Sequence, residues 1–223
     1  MKKGLLITID GPAGSGKSTV SRLLAKELSY LYLDTGALYR AVACQTIRNG
    51  ILATDEAGVA DLCRRTEIRL HRVHDEMRVF ADTVDVTEEI RTEPVGLLAS
   101  TLSAMPVVRS SLLTIQRESG KNGGIIAEGR DMGTVVFPDA DLKFFLDADD
   151  EERARRRYRE MVGRGEKVDY SSVKRDLLSR DRQDRERAVA PLKVPERAII
   201  IDSTRLSIDA VVKAMLAAMP EQR

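Results

Sequence analysis

The sequence predicts an α/β fold: a five-stranded parallel sheet flanked by helices, with one small antiparallel β segment inserted. Three observations carry this. Five short apolar runs, at residues 5–9, 30–33, 125–127, 142–146 and 198–201, have the length and continuity of strands buried on both faces. Helical apolar spacing fills the intervals, at residues 17–28, 37–49, 94–103, 107–119, 151–161, 172–187 and 207–219. Strands alternating with helices are the pattern of a doubly wound sheet. One segment breaks that rhythm. Residues 67–86 read EIRLHRVHDEMRVFADTVDV, with apolar residues alternating with polar ones and His74-Asp75-Glu76 as a turn. A period of two is that of antiparallel strands with one covered face.

The composition limits what such a fold does. A chain of 223 residues that is 43% hydrophobic supplies one sizeable core. The net charge of +1 offers no electrostatic footprint for nucleic acid or a membrane surface. Trp is absent and aromatic residues are only 4%, which argues against a base-stacking platform. Cys44 and Cys63 form neither a disulfide framework nor a zinc spacing, so reduced thiols in a cytoplasmic protein are expected. Met1-Lys2-Lys3 leads straight into the first strand, too short a run for a signal-peptide core. No apolar run has membrane-spanning length.

Taken in order, the first strand is followed by Gly11-Pro12-Ala13-Gly14-Ser15-Gly16-Lys17-Ser18. This is G-x-x-x-x-G-K-[ST], and Thr19 with Val20, Leu23, Leu24 and Leu28 continues it as a helix. The glycines let backbone N–H groups turn inward toward an anion. The helix N-terminus adds partial positive charge. Lys17 suits the β- and γ-phosphates of a nucleoside triphosphate, and the Ser18 hydroxyl suits Mg²⁺.

The second strand runs into Asp34-Thr35-Gly36-Ala37-Leu38-Tyr39-Arg40. Strand ends on this side of a doubly wound sheet face the ligand crevice. Thr35 reads as a helix cap, which leaves Gly36 and Arg40 unexplained by capping. In the insert, His71 and His74 are too isolated for a metal or catalytic role and read as exposed strand positions. Pro94 fits a first helical turn, and Asn49-Gly50 and Gly120 fit helix stops. After the third strand come Glu128-Gly129-Arg130-Asp131-Met132-Gly133. There Arg130 can fork onto a phosphate and Asp131 can accept from an amino group. The helix beginning Glu151-Glu152-Arg153-Ala154-Arg155-Arg156-Arg157 reads either as a solvated charged helix or as a lid bringing cations to a phosphate, with Gly163 and Gly165 as its hinge or tip. Further on, Arg180, Asp184 and Arg187 share one helix face. The chain offers no nucleophile–base pair. Transfer between two phosphates needs none, because the acceptor oxygen is already ionised; it needs alignment and charge neutralisation.

These residues carry a family resemblance that runs nearly end to end. Ile9-Asp10-Gly11-Pro12 through Ser18, the stretch from Asp34 to Arg40, Gly129-Arg130-Asp131-Met132-Gly133-Thr134-Val135-Val136-Phe137-Pro138-Asp139-Ala140, and Arg180-Asp181-Arg182-Gln183-Asp184-Arg185 resemble bacterial cytidylate kinases. These are nucleoside-monophosphate kinases that act on CMP and dCMP. The resemblance implies a P-loop NMP-kinase fold with a helical lid, ATP and CMP or dCMP as substrates, Mg²⁺ bound with the ATP, and a monomer. It implies one kinase domain over 1–223, with core segments 1–60, 95–150 and 188–223, a monophosphate-binding insert at 61–94, and a lid with an acceptor-binding helix at 151–187. ATP would be held by Gly11 through Thr19 with Arg153, Arg156 and Arg157. The acceptor phosphate would be held by Arg40, Arg130 and Arg187, cytosine by Ser100, Arg109 and Asp131, and the sugar by Arg180 and Asp184, with Thr35 lining the same site. Transfer would fall to Lys17, Arg130, Arg157 and Arg187. Thr35 stands where a serine is often found. Glu128 stands where an aspartate is common, and its longer reach leaves its own role, and how Arg130 is braced, open.

Other readings meet specific obstacles. A GTPase switch needs an N-K-x-D motif, which the chain lacks. A nucleic-acid-binding role for the arginine-rich C-terminal third is opposed by the interspersed Asp and Glu. The nearest alternative is a kinase for another small acceptor, such as UMP, AMP or dTMP; Asp131 opposes uracil and thymine, because its carboxylate would repel the carbonyl oxygen that they carry in place of an amino group.

Overall fold

A computed structural model of the chain describes residues 4–73 and 76–220. The expected sheet is present: β1 (Leu6–Asp10), β2 (Leu31–Asp34), β6 (Ile125–Gly129), β7 (Leu142–Asp147) and β8 (Ile199–Asp202) lie side by side in the order β2-β6-β1-β7-β8. All pair in parallel. Every strand but β6 ends on an aspartate, so each apolar run stops with a carboxylate at the same edge of the sheet. That edge is where the crevice of a doubly wound fold forms.

The helices α1 (Lys17–Leu28), α2 (Thr35–Arg48), α4 (Glu93–Leu102), α5 (Pro106–Gly120), α6 (Asp150–Gly163), α7 (Tyr170–Glu186) and α8 (Ile208–Ala217) fall where helical spacing places them, within about two residues. Against β1 and β7, Val20 and Leu24 of α1 and Val211 and Met215 of α8 bury one face of the sheet. The insert forms β3 (Ile68–Val73), β4 (Glu76–Ala81) and β5 (Val84–Asp85) as an antiparallel sheet. Its covered residues Ile68, Val79, Ala81 and Val86 share a core with α2, α4 and α5. His71 is exposed on β3, edge-on to Phe80, whereas His74 and Asp75 lie outside the described residues.

Three elements carry no sequence signal, among them a 3-10 turn at Glu89–Arg91. Helix α3 (Glu56–Arg65) buries only Val59 and Leu62, too few for a periodic signal. It is started by Asp55, which accepts the Gly58 N–H at 2.8 Å. After β6, residues Met132–Val136 form a π-helical turn. Its first N–H groups, from Met132 and Gly133, donate to the two oxygens of Asp10 at 2.8 and 2.7 Å. Asp10 is fully buried at the end of β1, and burial pushes its pKa up to about 6 despite those two bonds.

Two expectations need correction. The cap of α2 is Asp34, which accepts the Ala37 N–H at 3.1 Å. Thr35 is already helical, and its hydroxyl donates to the Glu128 carbonyl at 2.7 Å, fixing α2 to β6. Arg153, expected around the triphosphate with Arg156 and Arg157, is 1% exposed and faces the interior. Its guanidinium donates to the Ala13 carbonyl at 2.9 Å and the Ala148 carbonyl at 3.0 Å, and forms an ion pair with buried Asp181 of α7. Gly14 has φ +73, and a Cβ there would lie 2.8 Å from the Arg153 carbonyl, so α6 sits directly on the P-loop. Arg153 therefore joins P-loop, α6 and α7 rather than reaching for a ligand.

Two measurements check these roles. The raised folded-state pKa of Asp10 means that its stability contribution is full near pH 4 and is lost as pH rises through about 6. Urea unfolding from pH 4 to 7 should show the stability difference between wild type and Asp10→Asn shrinking by about 2–3 kcal/mol across that window; a pH-independent difference contradicts this. Arg153→Met leaves Asp181 buried without its cation and should lower the unfolding free energy by about 3–5 kcal/mol. A loss below about 1 kcal/mol would contradict the structural role.

Candidate active site

At the aspartate edge of the sheet the elements leave one cleft of about 860 Å³. Of the expected site residues, all but Gly11, Pro12 and Arg153 line it. The P-loop forms one end. Gly16 has φ +95 at the N-cap of α1, a left-handed conformation that glycine adopts without strain and that lets the loop turn into the helix. The Lys17 amine is buried and donates to the Pro12 carbonyl at 2.6 Å and the Ser15 hydroxyl at 3.4 Å. Burial first, and the Arg130 charge second, lower its pKa to about 7. The loop thus folds around its own lysine, and an anion in the loop would favour the charged form.

Ser18 donates to Glu128 Oε1 at 2.7 Å, and the Tyr32 hydroxyl donates to the same oxygen at 2.8 Å. Glu128 is 4% exposed, and its pKa is raised by burial and by the nearby Asp34 charge. Arg130 is braced instead by Asp184, which accepts from its Nε at 2.8 Å. Pairing of Ile9 with Glu128 across β1 and β6 explains the difference, because it sets the Glu128 carboxylate beside the start of α1. Hydroxyl and carboxylate at the P-loop form a hard-oxygen pair suited to Mg²⁺. Among the described residues no group of three or more His, Cys, Asp or Glu could cage a metal by itself. Such a pair fits a cation that arrives largely coordinated by phosphate and water.

The other end of the cleft is built around Asp131, which is 2% exposed. Arg109 of α5 forms an ion pair with it and donates to the Ser103 carbonyl at 3.2 Å. Arg187 approaches the other Asp131 oxygen at 3.4 Å and lies 3.8 Å from Asp184. Burial pushes the Asp131 carboxyl up against the opposing pull of Arg109 and Arg187. Tyr39, which the sequence did not single out, lies with its ring 5.6 Å from the Arg109 guanidinium, within cation–π range. Its position one residue before Arg40 on a strand-end helix was the available signal. Ser100 lines the same end, and its carbonyl accepts from Gln183 of α7 at 3.3 Å. Arg40 and Arg180 also line the cleft, and neither is ion-paired among the described residues. Burial lowers the pKa of both.

Between the two ends lie Arg156 and Arg157 of α6. Arg156 donates to the Ser203 hydroxyl at 2.9 Å and the Ser203 carbonyl at 2.7 Å, which holds it beside Ser15. Ser203 follows β8 and carries no sequence signal. Arg157 crosses the cleft mouth to Glu93 at 2.5 Å and also meets Glu160 at 3.0 Å. Gly163 and Gly165 form the tip where α6 passes into α7, not a joint at the base of the pair.

Comparison with known proteins accords with this geometry. The family model described as cytidylate kinase matches residues 7–221. A cytidylate kinase from Geobacter sp. (strain M21) is 50% identical over 221 residues, spanning 99% of this chain and 95% of that protein. One from Geobacter sulfurreducens is 47% identical with the same coverage. One from Exiguobacterium sp. is 45% identical over 215 residues, 96% of each chain. With a match of that extent and a cleft that joins a P-loop to an arginine-lined second pocket, the chain belongs to the cytidylate kinase family.

Proposed function

We propose that the chain transfers the γ-phosphoryl group of ATP to CMP or dCMP, giving ADP and CDP or dCDP. The observation that carries this reading is the buried Asp131–Arg109 pair at the far end of the cleft that begins at the P-loop. Cytosine presents an amino donor at N4 beside acceptors at N3 and O2. Asp131 accepts from the amino group and Arg109 donates to a ring acceptor, with Ser100 at the edge of the base. Arg180 and Asp184 hold the sugar, with Thr35 in the same wall. Arg40 and Arg130 hold the acceptor phosphate, and Arg187, between Asp131 and Asp184, completes that clamp.

The γ-phosphorus forms a bond to an oxygen of the acceptor phosphate and breaks its bond to the β,γ-bridging oxygen. The acceptor oxygen carries its charge already, so the chain supplies position and cations rather than a base. Lys17 turns from the Pro12 carbonyl to the β- and γ-phosphates. Arg156, fixed by Ser203, holds the triphosphate from above the loop, and Arg157 meets the group in flight. Bound Mg²⁺ would neutralise charge on the β- and γ-oxygens. Ser18 and Glu128 are the residues that would hold it.

The decisive measurement is ADP release at fixed MgATP with CMP, dCMP, UMP, AMP and dTMP. CMP and dCMP should exceed the others in kcat/KM by at least about tenfold, the scale set by one charge-assisted hydrogen bond. CMP performing no better than AMP or dTMP would overturn the assignment. Asp131→Ala should lower the CMP-over-UMP preference by about 10- to 100-fold while changing the KM for MgATP by less than about threefold. Equal losses for CMP, UMP and ATP would show that Asp131 supports the fold rather than reads the base.

A further inference from the structure

Glu93 opens α4, where an acid in the first turn ordinarily serves the helix dipole. Its carboxylate does more than that. It reaches across the cleft mouth to Arg157 of α6, 64 residues away in sequence. Arg40 lies against the same turn of α4: a Cβ on Gly96, three residues after Glu93 and on the same helix face, would stand 3.8 Å from the Arg40 guanidinium. Burial lowers the pKa of Arg40 and Arg180; Asp34 and then Glu93 oppose it at Arg40, and Glu93 opposes it at Arg180. One carboxylate thus pairs with Arg157 and lies within electrostatic reach of Arg40 and Arg180, neither of which is ion-paired among the described residues.

We propose that Glu93 is a built-in stand-in for substrate phosphate. It holds Arg157 and partly neutralises the Arg40–Arg157–Arg180 cluster; incoming phosphate displaces it and takes over Arg157. Carboxylate and phosphate both offer paired anionic oxygens to a guanidinium, so the exchange keeps each arginine hydrogen-bonded. Glu93 is then a positioning residue that acts through Arg157, and the lid helix releases that arginine only to a competing anion. The proposal rests on the phosphoryl-transfer reading of the cleft, but its test requires no turnover of CMP.

The test is calorimetric titration of the full chain with inorganic pyrophosphate. Removing the competing charge with Glu93→Gln should tighten binding by about three- to tenfold, the scale of one partly exposed ion pair. Glu93→Asp, which keeps the charge, should stay within about twofold of wild type. In an Arg157→Ala background the gain from Glu93→Gln should fall below about twofold, because the two residues act as a unit. A merely structural role in α4 predicts a lower Tm for Glu93→Gln with unchanged or weaker pyrophosphate binding, and that result overturns the proposal. An undiminished gain without Arg157 also overturns it. A failure here with normal CMP selectivity would leave the kinase assignment standing, whereas loss of CMP selectivity would strike the assignment itself.

Discussion

The carboxylate of Asp10 is the constraint on which both halves of the cleft depend. It ends β1, the strand that leads into the P-loop, and it accepts the N–H groups of Met132 and Gly133 in the adjacent loop. Those N–H groups begin the π-helical turn, and the two residues before it are Arg130 and Asp131. A single buried group therefore fixes where the phosphate-binding loop stands relative to the side chains proposed to hold phosphate and base. From there the alignment spreads by further carboxylates: Asp184 takes Arg130, and Asp181 takes Arg153, so α7 is located by the same frame. Each acid is buried, and each has its charge met by N–H donors or a guanidinium, the condition under which buried charge is tolerated.

Much of this was legible in the sequence because it is local. The strand–loop–helix order around Gly11–Ser18, the period-two insert and the strand-end placement of Arg40 and Arg130 need only neighbouring residues to be read. What escaped depends on distant pairing. Arg153, Arg156 and Arg157 are chemically alike and lie within five residues. Arg153 turns inward because Asp181 and the Ala13 carbonyl stand on that side of α6, a placement no local window contains. Glu128 meets Ser18 across 110 residues through the β1–β6 register, so its partner could not be deduced from the Gly129-Arg130 that follow it. Thr35 and Asp34 are both good caps; the hydroxyl was instead drawn to the β6 backbone.

The cleft is ordered by internal bonds, most of them between groups of opposite charge. Lys17 is satisfied by its own loop, Asp131 by Arg109 and Arg187, and Arg130 by Asp184. The side chains proposed to hold base and phosphate are thereby fixed in place, and little side-chain freedom remains to be lost on binding. Selectivity gains as well. A ligand that cannot replace a severed bond leaves a buried charge without a partner, and that penalty falls hardest on near-misses such as a base with its donor and acceptor exchanged.

The seating of α6 on the P-loop has a mechanical consequence. The helix is pinned at its root by Arg153 and joined along its length to α7 by the Tyr158–Tyr170 ring contact, at 5.7 Å between centroids, and by the Lys174–Glu151 pair. The pair has the form of a cantilever, and a lever held at its root moves least beside the root. Any displacement of α6 would therefore move Arg156 and Arg157, a single turn from the fixed end, less than Gly163 at the far end.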